Sequence, residues 1–480
     1  MAENPSPRQV YQAQRRRHWD GICRTTASRE KRTGHFYHHL LARYYRALIP
    51  PGLTVLELGC GQGDLLNALN PERGVGVDFS IGMLTKAREK YPHLDFVCAD
   101  AHQIGLKIKF DVIILSDLVN DLWDVQSVLA RAASFSHAGT RLIINFFNNM
   151  WRIPLNLARK YHLAADLMEQ NWLTPPDMTN LLRLAGFEQI RSHNAILFPA
   201  PCPVLEPLLN RFFLHLPPFH WLGLTNFMIA RPVPPPGRNT CPPLVSIIIP
   251  ARNEAGNIHD LLQQTVIPGY RIELIFVEGG STDGTHETIC QAIAELPESN
   301  CRLIKQPGKG KADAVKAGFQ EAAGDILIIL DADLTVPPED LSRFVDALVS
   351  GAGDFINGVR LVYPMENQSM RFLNMIANKI FSLLFSWLLG QPVKDTLCGT
   401  KALWKKDYEI MKNDPGDFSL VDPFGDFALL LSAARLNLKI TDLPVRYRRR
   451  KYGFTNISRW HHGWLLLKMA ILTAGRIKFL

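Results

Sequence analysis

Short apolar runs alternate with amphipathic stretches along most of this chain of 480 residues. The apolar runs are typical of strands in a parallel sheet, and the amphipathic stretches between them predict helices that pack on that sheet. The pattern is interrupted between Arg231 and Leu244 by PVPPPGRNTCPP, which has six prolines in twelve residues. Because proline lacks an amide donor and fixes its own backbone angle, this stretch predicts a semi-rigid linker between two α/β domains.

The linker divides the chain into two parts of similar length. We expect a basic N-terminal segment at residues 1–34, a first domain at 35–231, the proline-rich linker at 232–243 and a second domain at 244–480. A chain of this length is too long for one ordinary core, which agrees with more than one domain. Both domains open with an apolar strand followed by a polar or glycine-rich loop. The two loops differ, and that difference separates their chemistry.

The first domain opens with LTVLELGCGQGDLL at residues 53–66. Its apolar strand, at residues 53–58, runs into Gly59, Gly61 and Gly63, and a helical pattern follows. Glycines at this point permit a tight turn and let a ligand approach the backbone at a helix N-terminus. The spacing is GxGxG, which differs from the GxGxxG of dinucleotide sites, and a glycine loop alone is a weak indication.

Three further apolar runs end in or next to an acidic residue. GVGVDFS carries Asp78, LDFVCAD ends at Asp100, and FDVIILSD follows at residues 110–117. Open α/β sheets bind ligands outside the carboxyl ends of their strands, so these acids line the predicted crevice. Asp78, nineteen residues after Gly59, lies where a carboxylate can bind ribose hydroxyls.

In their order, ELGCGQG, VGVD, CAD and FDVII resemble the class I S-adenosylmethionine-dependent methyltransferases over roughly residues 35–195. The resemblance implies a Rossmann-like, seven-stranded domain that transfers a methyl group from S-adenosylmethionine to an acceptor that the sequence does not name. It assigns the glycines to the methionine part of the cofactor, Asp78 to the ribose, and Asp100 with Ala101 to the adenine. The cofactor-binding residues that it implies are Glu57, Gly59, Gly61, Gly63, Asp78, Phe79, Asp100 and Ala101.

Transfer of a methyl group to oxygen or nitrogen needs alignment and a base. Asp117, Asn120, Asp121 and Asn145 follow strands and are candidates for that base or for helix caps. Two alternatives stay open. In the first alternative, the domain is a non-catalytic module that binds a ligand or positions its partner domain. In the second, it is an RNA methyltransferase, a class of enzyme that shares this fold. The basic runs lack interleaved stacking aromatics, so we expect no nucleic-acid partner.

The second domain ends a buried strand in two carboxylates, Asp331 and Asp333, which are costly at that place unless they bind something. Hard oxygen ligands suit magnesium or manganese, which bridge protein carboxylates and substrate phosphates. We therefore expect Asp331 and Asp333 to hold Mg²⁺ or Mn²⁺, which would neutralise a leaving diphosphate. Four strand-end motifs make up this site: VSIIIPARNEAGNI at 245–258, ELIFVEGGSTDGT at 273–285, GKGKADAVKAGF at 308–319 and LIILDADLTVPPED at 327–340.

These motifs, with DPFGDFALLLSAARLNLKITDLPVRYRRRKYGFTNIS at 422–458, resemble the family 2 glycosyltransferases of GT-A fold, especially the dolichol-phosphate mannosyltransferase-like branch. The likeness covers approximately residues 244–460. It implies transfer of a sugar from a nucleotide-diphosphate donor, with inversion at the anomeric carbon, to a polyprenyl-phosphate or glycan acceptor of the cell envelope. The residues that it assigns to the nucleotide sugar are Pro250, Arg252, Glu254, Glu278, Asp283, Lys311, Asp331, Ala332, Arg360 and Arg450.

The acceptor decides whether a base is needed. A hydroxyl must lose its proton, and Asp426 (or Asp422) is the candidate catalytic base, whereas a lipid phosphate is already ionised. Asp426 has a second interpretation as an acid in the first turn of a helix. Cys398 lies in a loop that resembles the family's acceptor-side loop. A catalytic thiol would need a partner residue, and none is identifiable, so we expect Cys398 to be a packing residue. The loop residues that carry this likeness are Asp395, Cys398 and Gly399.

Three departures from the family pattern leave the sugar and the nucleotide base unassigned. The family usually has two acids where this chain has Glu278-Gly279, a glutamine at the position of Thr335, and a lysine at the position of Asn456.

Composition and charge indicate the class of protein and its possible partners. Apolar content of 47% with charged content of 20% fits a globular protein, and the formal charge is +8. Part of that excess lies in Arg15-Arg16-Arg17 and in residues 446–451. Basic runs of this kind form a solvated face or bind nucleic acid, anionic lipid or a phosphorylated ligand. Apolar runs at 376–389 and 464–474 are too short to span a bilayer and predict either buried helices or helices that lie on a membrane surface.

Cysteine usage points to a reducing compartment. The eight cysteines are scattered singly, and the N-terminus has no apolar core of a signal peptide. We therefore expect a cytoplasmic protein, with peripheral contact on the cytoplasmic face of the membrane.

Overall fold

The computed structural model divides the chain into two units, Met1–Val233 together with Lys478–Leu480, and Pro234–Ile477. The division falls inside the predicted linker, of which residues 235–241 lie outside the described residues. The sequence-based bounds of the four segments stay predictions. The residues that the structure describes are 6–25, 32–161, 168–216, 219–234, 242–296, 300–360, 362, 372–413, 425–450, 452, 467–468 and 470–478.

The N-terminal unit is an α/β domain in which apolar runs form strands and amphipathic stretches form helices. Its helices are α1 (Pro7–Thr25), α2 (Arg32–Leu48), α3 (Asp64–Ala68), α4 (Ile81–Lys90), α5 (Val125–Ser134), α6 (Arg152–Lys160) and α7 (Pro175–Leu184). Its strands are β1 (Thr54–Leu58), β2 (Arg73–Asp78), β3 (Asp95–Cys98), β4 (Phe110–Ser116), β5 (Ser136–Phe147), β6 (Phe187–Ala195) and β7 (Thr225–Pro232).

Within the described residues these strands form one seven-stranded sheet in the order β3-β2-β1-β4-β5-β7-β6. The strands are parallel except for β7, which runs antiparallel to β5 and β6. The predicted Rossmann-like, seven-stranded domain is confirmed. Both faces of the sheet are buried against apolar side chains, which explains why its strands read as continuous apolar runs. The carboxyl ends of β1, β2 and β4 lie side by side, as the pairs Leu58–Val77 and Leu58–Leu115 show.

The C-terminal unit is a second α/β domain. Its strands are β8 (Leu244–Ala251), β9 (Arg271–Glu278), β10 (Cys301–Lys305), β11 (Ile326–Ile329), β12 (Phe355–Val359), β13 (Lys401–Trp404) and β14 (Ile440–Pro444). Its helices are α8 (Ile258–Gln264), α9 (Thr285–Glu295), α10 (Lys311–Glu321), α11 (Leu341–Val349), α12 (Phe372–Leu389), α13 (Lys405–Lys412) and α14 (Asp426–Arg435).

Over the described part of this unit the strand order is β10-β9-β8-β11-β13-β12-β14. Strand β13 runs antiparallel between β11 and β12, so the sheet is mixed. Helix α10 lies close to the sheet, because a Cβ added at Gly318 would be 2.5 Å from Cγ2 of Ile248. That approach brings the first residue of α10, Lys311, to the end of β11.

Helix α12 contains the apolar run 376–389, and the described side chains divide between its two faces. Phe385, Leu388 and Leu389 are buried in the core, whereas Ile380 and Leu383 are 60% and 62% exposed. None of the helices in the described part of the chain is long and apolar enough to cross a membrane. Of the second apolar run, residues 464–466 and 469 lie outside the described residues.

Candidate active sites

The glycine loop after β1 has the backbone that its glycines predict. Gly59, Gly61 and Gly63 have φ angles of 74°, 51° and 78°, a region that residues with a Cβ rarely adopt. A Cβ at Gly61 would meet nothing within 4 Å, so its backbone is open to a ligand. A Cβ at Gly63 would lie 2.7 Å from Cζ of Phe96, so this glycine serves packing.

A cavity of about 1330 Å³ opens at this edge of the sheet. It exceeds the roughly 300–1,000 Å³ of a typical single-ligand pocket, which leaves room for a second molecule beside a cofactor. Of the eight residues assigned to the cofactor, Gly63 does not line the cavity. The seven that do are Glu57, Gly59, Gly61, Asp78, Phe79, Asp100 and Ala101.

Two carboxylates of the cavity are held by short-range hydrogen bonds. Oδ2 of Asp78 accepts from the backbone N–H of Gly61 at 3.0 Å, and Oδ1 accepts from that of Ser80 at 2.8 Å. Burial raises the pKa of Asp78, and these bonds offset only part of that effect. Burial would also raise the pKa of Asp100, but hydrogen bonds from His102 outweigh it and lower the pKa.

Glu57 differs from both, because it has a buried carboxylate oxygen that lacks a partner. Its Oε2 makes no hydrogen bond within the described structure, and burial raises its pKa well above the usual range. A buried acceptor without a donor is rare and costly in a protein interior, so a ligand that brings a donor to Glu57 would be stabilised there.

Helix α1 lines the same cavity, which the sequence analysis did not anticipate for a basic N-terminal segment. Nε2 of Gln12 donates to Oδ2 of Asp100, the carboxylate assigned to the adenine. Arg15 is 5% exposed, and its guanidinium lies 3.7 Å from the centre of the Tyr11 ring. Arg15 is therefore no part of a solvated basic patch. The sequence feature that indicates this helix face is the spacing of Tyr11, Arg15 and Trp19 at every fourth position, which places them on one side of α1.

The four candidate bases of the first domain have different surroundings. Oδ1 of Asp117 accepts from Tyr37 at 3.2 Å and from Nδ2 of Asn145 at 2.7 Å. Burial raises the pKa of Asp117 to about 7. Asp121 lines the cavity near Arg15, at 3.7 Å, whereas Asn120 is buried away from it. Among the four, Asp117 combines contact with the cavity and a proton affinity suited to a base at neutral pH.

The raised pKa of Asp117 predicts a stability change with pH. The carboxyl keeps its proton up to about pH 7 when folded but loses it near pH 4 when unfolded, so its contribution is full below pH 4 and is lost as pH rises to 7. We expect Asp117→Asn to be more stable than the native chain at pH 8, by about 1–4 kcal/mol, and equal to it at pH 4. Urea unfolding of the N-terminal unit at both pH values measures this.

Asp111 supplies a control of opposite sign. Burial favours its neutral form, but hydrogen bonds from Thr54 and His137 outweigh burial and lower its pKa. Asp111→Asn should therefore lose stability at pH 8. An equal effect of both variants would contradict the assignment for Asp117.

In the C-terminal unit, the two carboxylates that follow β11 form ion pairs with basic side chains. Nζ of Lys311 lies 2.6 Å from Oδ1 of Asp331, and a guanidinium nitrogen of Arg450 lies 2.6 Å from Oδ2 of Asp333. Burial alone would raise the pKa of Asp331, but Lys311 and two nearby arginines lower it. Asp331 is therefore held as an anion by positive charge, and Asp333 is paired with the guanidinium of Arg450.

The chain reverses direction immediately after these acids. Leu334 has φ of 55°, which is uncommon for a residue with a side chain. Oδ1 of Asp333 accepts from the backbone N–H of Thr335 at 3.1 Å and from its hydroxyl at 2.7 Å. Thr335, where the family usually has glutamine, thus fixes the orientation of Asp333.

The ends of β8 and β9 supply a second group of acids at the same edge. Ala251 pairs with Glu278 at the ends of these strands, and β8 also pairs with β11. Oε1 of Glu278 accepts from the backbone N–H of Ser281 at 2.6 Å. Oδ1 of Asp283 accepts from that of Thr285 at 3.1 Å. The carboxylate of Glu278 is thereby held within its own loop, whereas the other oxygen of Asp283 accepts from the backbone N–H of Ala255, at 3.2 Å, in the loop after β8. Pro250 is half-buried, and Arg252 is exposed.

Glu254 and Asp333, far apart in sequence, share one arginine. Arg450 lies 3.8 Å from Oε1 of Glu254 as well as 2.6 Å from Asp333. Burial raises the pKa of Glu254 to about 7, and Arg450 offsets only part of that rise. Two residues further on, the hydroxyl of Tyr452 donates to Asp283 at 3.2 Å. The segment after β14 therefore reaches two acids assigned to the nucleotide sugar, Glu254 and Asp283, and the predicted metal ligand Asp333.

Arg360 lies at the end of β12, but its guanidinium is engaged by protein. Its Nε and a terminal nitrogen donate to the two carboxylate oxygens of Asp395, at 2.7 Å and 2.9 Å. The Arg360 guanidinium also lies 5.1 Å from the centre of the Tyr447 ring. Its contact with a diphosphate or an acceptor stays a prediction, and the observed geometry makes it a positioning residue for the loop of Asp395.

That loop runs directly over the carboxylates of β11. A Cβ at Gly399 would overlap Oδ2 of Asp331 and Nζ of Lys311, so a larger residue here would displace this ion pair. Cys398 packs in the core, and burial raises its pKa to about 11, which agrees with a packing residue. Lys401 is fully buried and donates to the Cys398 carbonyl at 2.8 Å. Lys401 was not among the residues predicted from the sequence. The sequence feature that could have indicated it is a charged residue at the start of an apolar strand.

Asp426, the candidate base, is the first residue of α14, and its side chain lies outside the described part of the structure. Gly425 before it has φ of 75°, and a Cβ there would be 2.9 Å from Cα of Ala312. Helix α14 therefore begins beside the first turn of α10, next to Lys311. Asp422, Lys451 and Asn456 lie outside the described residues.

Two family models match the chain in the regions that carry these sites. A model described as a methyltransferase domain matches residues 55–139, and one described as glycosyl transferase family 2 matches residues 246–431. The chain joins a methyltransferase domain to a family 2 glycosyltransferase domain.

Among curated proteins, this methyltransferase–glycosyltransferase chain is similar to glycosyltransferase AglJ of Haloferax volcanii, with 28% identity over 47% of the chain and 70% of that protein. It is also similar to a dolichol-phosphate mannosyltransferase of Pyrococcus furiosus, with 30% identity over 37% of the chain. The chain spans about half, 51%, of the length of that second relative. A solved S-adenosylmethionine-dependent methyltransferase of Thermotoga maritima has 17% identity and a TM-score of 0.36 over 44% of the chain and 98% of its own.

Proposed function

We propose that this chain is a bifunctional transferase whose glycosyltransferase domain moves a sugar from a nucleotide-diphosphate donor to a polyprenyl phosphate or glycan. The observation that carries this proposal is the cluster after β11, in which Asp331 and Asp333 face Lys311 and Arg450 beneath Gly399. Such a cluster offers carboxylates to a cation and positive charge to phosphates. A site of this composition suits the departure of a nucleoside diphosphate.

Asp331 and Asp333 are the residues that would hold a divalent ion. The donor set fits, because Mg²⁺ and Mn²⁺ prefer oxygen ligands and take others from substrate phosphates. No group of three or more His, Cys, Asp and Glu residues suited to a metal occurs among the described side chains, so the donor phosphates would complete the coordination. When bound, the ion supplies Lewis-acid stabilisation of the charge on the leaving group. The divalent requirement and its site are part of the proposal.

We infer a single displacement with inversion, in which the acceptor oxygen attacks the anomeric carbon as the diphosphate leaves. A lipid phosphate needs no base, so positioning by basic groups would dominate for that acceptor. The exposed residues Ile380 and Leu383 of α12 and the basic residues after β14 suit an anionic lipid at the membrane surface. For a hydroxyl acceptor, Asp426 is the proposed base. Peripheral contact with the cytoplasmic face of the membrane belongs to this proposal.

For the methyltransferase domain we propose binding of S-adenosylmethionine in the 1330 Å³ cavity. The cradle fits this cofactor, because the unpaired Oε2 of Glu57 can accept from its ammonium group and Gly61 leaves the backbone open. Asp78 would bind the ribose and Asp100 the adenine. When bound, the cofactor supplies an electrophilic methyl group. Asp117 would take the proton from an oxygen or nitrogen acceptor in the remaining space.

Thermal stabilisation of the full chain by a panel of nucleotide sugars, with and without Mn²⁺, tests the sugar-transfer proposal. We expect at least one donor to raise the melting temperature in a Mn²⁺-dependent way. A control panel of free sugars should have no effect. If none of the donors stabilises the protein, the proposal for this domain is wrong.

Calorimetry of the full chain with S-adenosylmethionine tests the other domain. Binding that is lost in Gly61→Val and kept in Gly52→Val supports the assignment, since Gly52 also has a positive φ but does not line the cavity. If the native chain does not bind the cofactor, the domain is instead a non-catalytic module that positions its partner.

Arg450 supplies a prediction about metal binding. Its guanidinium contacts Oδ2 of Asp333, so a cation must displace it or share the carboxylate with it. We expect Arg450→Met to raise the affinity for Mn²⁺ in the absence of donor about tenfold, the effect of removing one hydrogen bond to a charged group. Electron paramagnetic resonance of free Mn²⁺ measures this. Arg448→Met, whose ion pair is with the exposed Glu339, is the control and should change nothing. Equal affinities for the native chain and Arg450→Met would contradict the prediction.

A further inference from the structure

Exposed apolar side chains are concentrated in one part of the N-terminal unit. Among the described residues of the chain, 28 large apolar side chains are exposed, and 13 of them fall in residues 150–161 and 204–222. We call these two segments the apolar patch. Single exposed apolar residues are ordinary, but a concentration of this kind marks a surface that contacts something apolar. The thirteen are Met150, Ile153, Leu157, Tyr161, Val204, Leu205, Leu208, Phe212, Phe213, Leu216, Phe219, Trp221 and Leu222.

The two segments of the patch are held together by hydrogen bonds. The indole N–H of Trp151 donates to the carbonyl of Leu222 at 2.8 Å. Nδ2 of Asn148 donates to the carbonyls of Trp221 and Gly223, at 2.8 Å and 2.9 Å. The start of the first segment is therefore fixed against the end of the second.

The charges of the patch have one sign. Arg152, Lys160 and Arg211 are exposed on it. Its single acid within the described residues, Glu206, is 8% exposed and lies 3.0 Å from a guanidinium nitrogen of Arg43. A surface that combines exposed aliphatic and aromatic side chains with basic groups is complementary to the interface of an anionic bilayer.

Both segments leave the sheet at the edge where the cavity opens. Strand β5 ends at Phe147, which lines the cavity, and β6 ends at Ala195. Each of these residues pairs with Thr225, the first residue of β7. Both segments of the patch therefore follow strands that end at the edge of the sheet where the candidate methyltransferase site lies.

We propose that the apolar patch is a membrane-docking surface of the methyltransferase domain, whose partner is a bilayer containing anionic lipid. Phe212, Trp221 and the apolar side of α6 enter the boundary between headgroups and acyl chains, while Arg152, Lys160 and Arg211 contact lipid phosphates. This surface is separate from the helix α12 contact proposed for the glycosyltransferase domain. It does not depend on either transfer reaction.

Co-sedimentation of the full chain with vesicles tests the proposal. We expect binding to phosphatidylcholine vesicles that contain phosphatidylglycerol, and a weakening of about 100-fold in the triple variant Ile153→Gln, Phe212→Gln, Trp221→Gln, because three large apolar side chains no longer enter the bilayer. The matched control is Leu184→Gln, Val266→Gln, Ile410→Gln, which removes three exposed apolar side chains elsewhere and should bind like the native chain.

Removal of the three basic residues, Arg152→Gln, Lys160→Gln and Arg211→Gln, should also weaken binding to the anionic vesicles by about 100-fold and leave binding to pure phosphatidylcholine unchanged. Hydrogen exchange of the native chain, which needs no variant, should slow in peptides from 150–161 and 204–222 when anionic vesicles are added.

Three outcomes would overturn the proposal. One is native binding by the apolar triple variant, and another is unchanged exchange in both segments when vesicles are present. The third is that the native chain is a dimer in solution and the apolar triple variant is a monomer that still binds vesicles. The patch would then be an interface between two copies of the chain.

Discussion

Asp331→Asn is expected to abolish sugar transfer while S-adenosylmethionine binding stays within twofold of the native value. The substitution keeps the shape of the side chain but removes the negative charge that faces Lys311 at 2.6 Å. Stabilisation of the leaving diphosphate is worth several kcal/mol, so transfer from the donor that the thermal panel selects should fall at least about 1,000-fold. Release of the nucleoside diphosphate measures transfer, and calorimetry measures cofactor binding.

The other end of the same strand offers a control for Asp331. Asp325 precedes β11 and accepts from the backbone N–H of Leu244 at 3.1 Å, a bond that asparagine also makes. Asp325→Asn should therefore keep most of the activity. If Asp331→Asn transfers sugar within tenfold of the native chain, the carboxylate does not serve the reaction.

The second large effect concerns the ion pair of Arg360 with Asp395, whose carboxylate is fully buried. Removing one partner of such a pair leaves an uncompensated charge in the interior, which costs about 3–5 kcal/mol. We expect Arg360→Met to lower the free energy of unfolding of the glycosyltransferase domain by that amount at pH 7. Urea unfolding measures it, with hydrogen exchange of residues 391–400 to assign the transition to this domain.

The effect of Arg360 should depend on pH with a defined sign. Burial would raise the pKa of Asp395, but Arg360 outweighs burial and lowers it to about 2. The pair therefore stabilises the fold above about pH 4, where the unfolded carboxyl is ionised, and loses that contribution as pH falls towards 2. The difference between native chain and variant should shrink from pH 7 to pH 3.

Two further variants isolate the pair. Arg360→Met with Asp395→Asn should recover part of the loss, because no buried charge remains. Arg343→Met removes an exposed partner of Asp340, 3.2 Å away, and should cost less than about 0.5 kcal/mol. A loss below about 1 kcal/mol in Arg360→Met alone would contradict the assignment of Asp395 as a buried anion.

The strands and strand-end motifs followed from the sequence because their causes are local. A buried parallel strand needs a continuous apolar run, and LTVLEL, LVSIIIP and ELIFVE are such runs followed by glycines or acids. The carboxyl ends of parallel strands meet at one edge, so the acids at the ends of β2, β9 and β11 could be assigned to the edges of their sheets before any geometry was known. The seven-stranded first domain is confirmed for the same reason.

The pairings across the sites could not be predicted, because they join residues far apart in sequence. Arg450 and Asp333 are 117 positions apart, and no local pattern indicates which arginine of a basic run reaches the acid. Lys401 is fully buried although its residue type usually lies at the surface. The apolar patch shows a related limit, since periodicity identifies the apolar side of α6 but not whether other residues cover it.

Helix α12 carries two exposed apolar side chains on one face, and its opposite face is hydrogen-bonded to the loop that contains Asp395. Nδ2 of Asn378 donates to Asp395 at 2.9 Å, and the hydroxyl of Ser382 donates to the carbonyl of Val393 at 2.7 Å. The same loop ends at Gly399, against Asp331. A displacement of α12 would therefore be transmitted to Asp331 through these hydrogen bonds and the backbone of the loop. If a ligand at α12 shifts this loop, reciprocity requires that a donor which orders the loop favours engagement of the helix to the same extent.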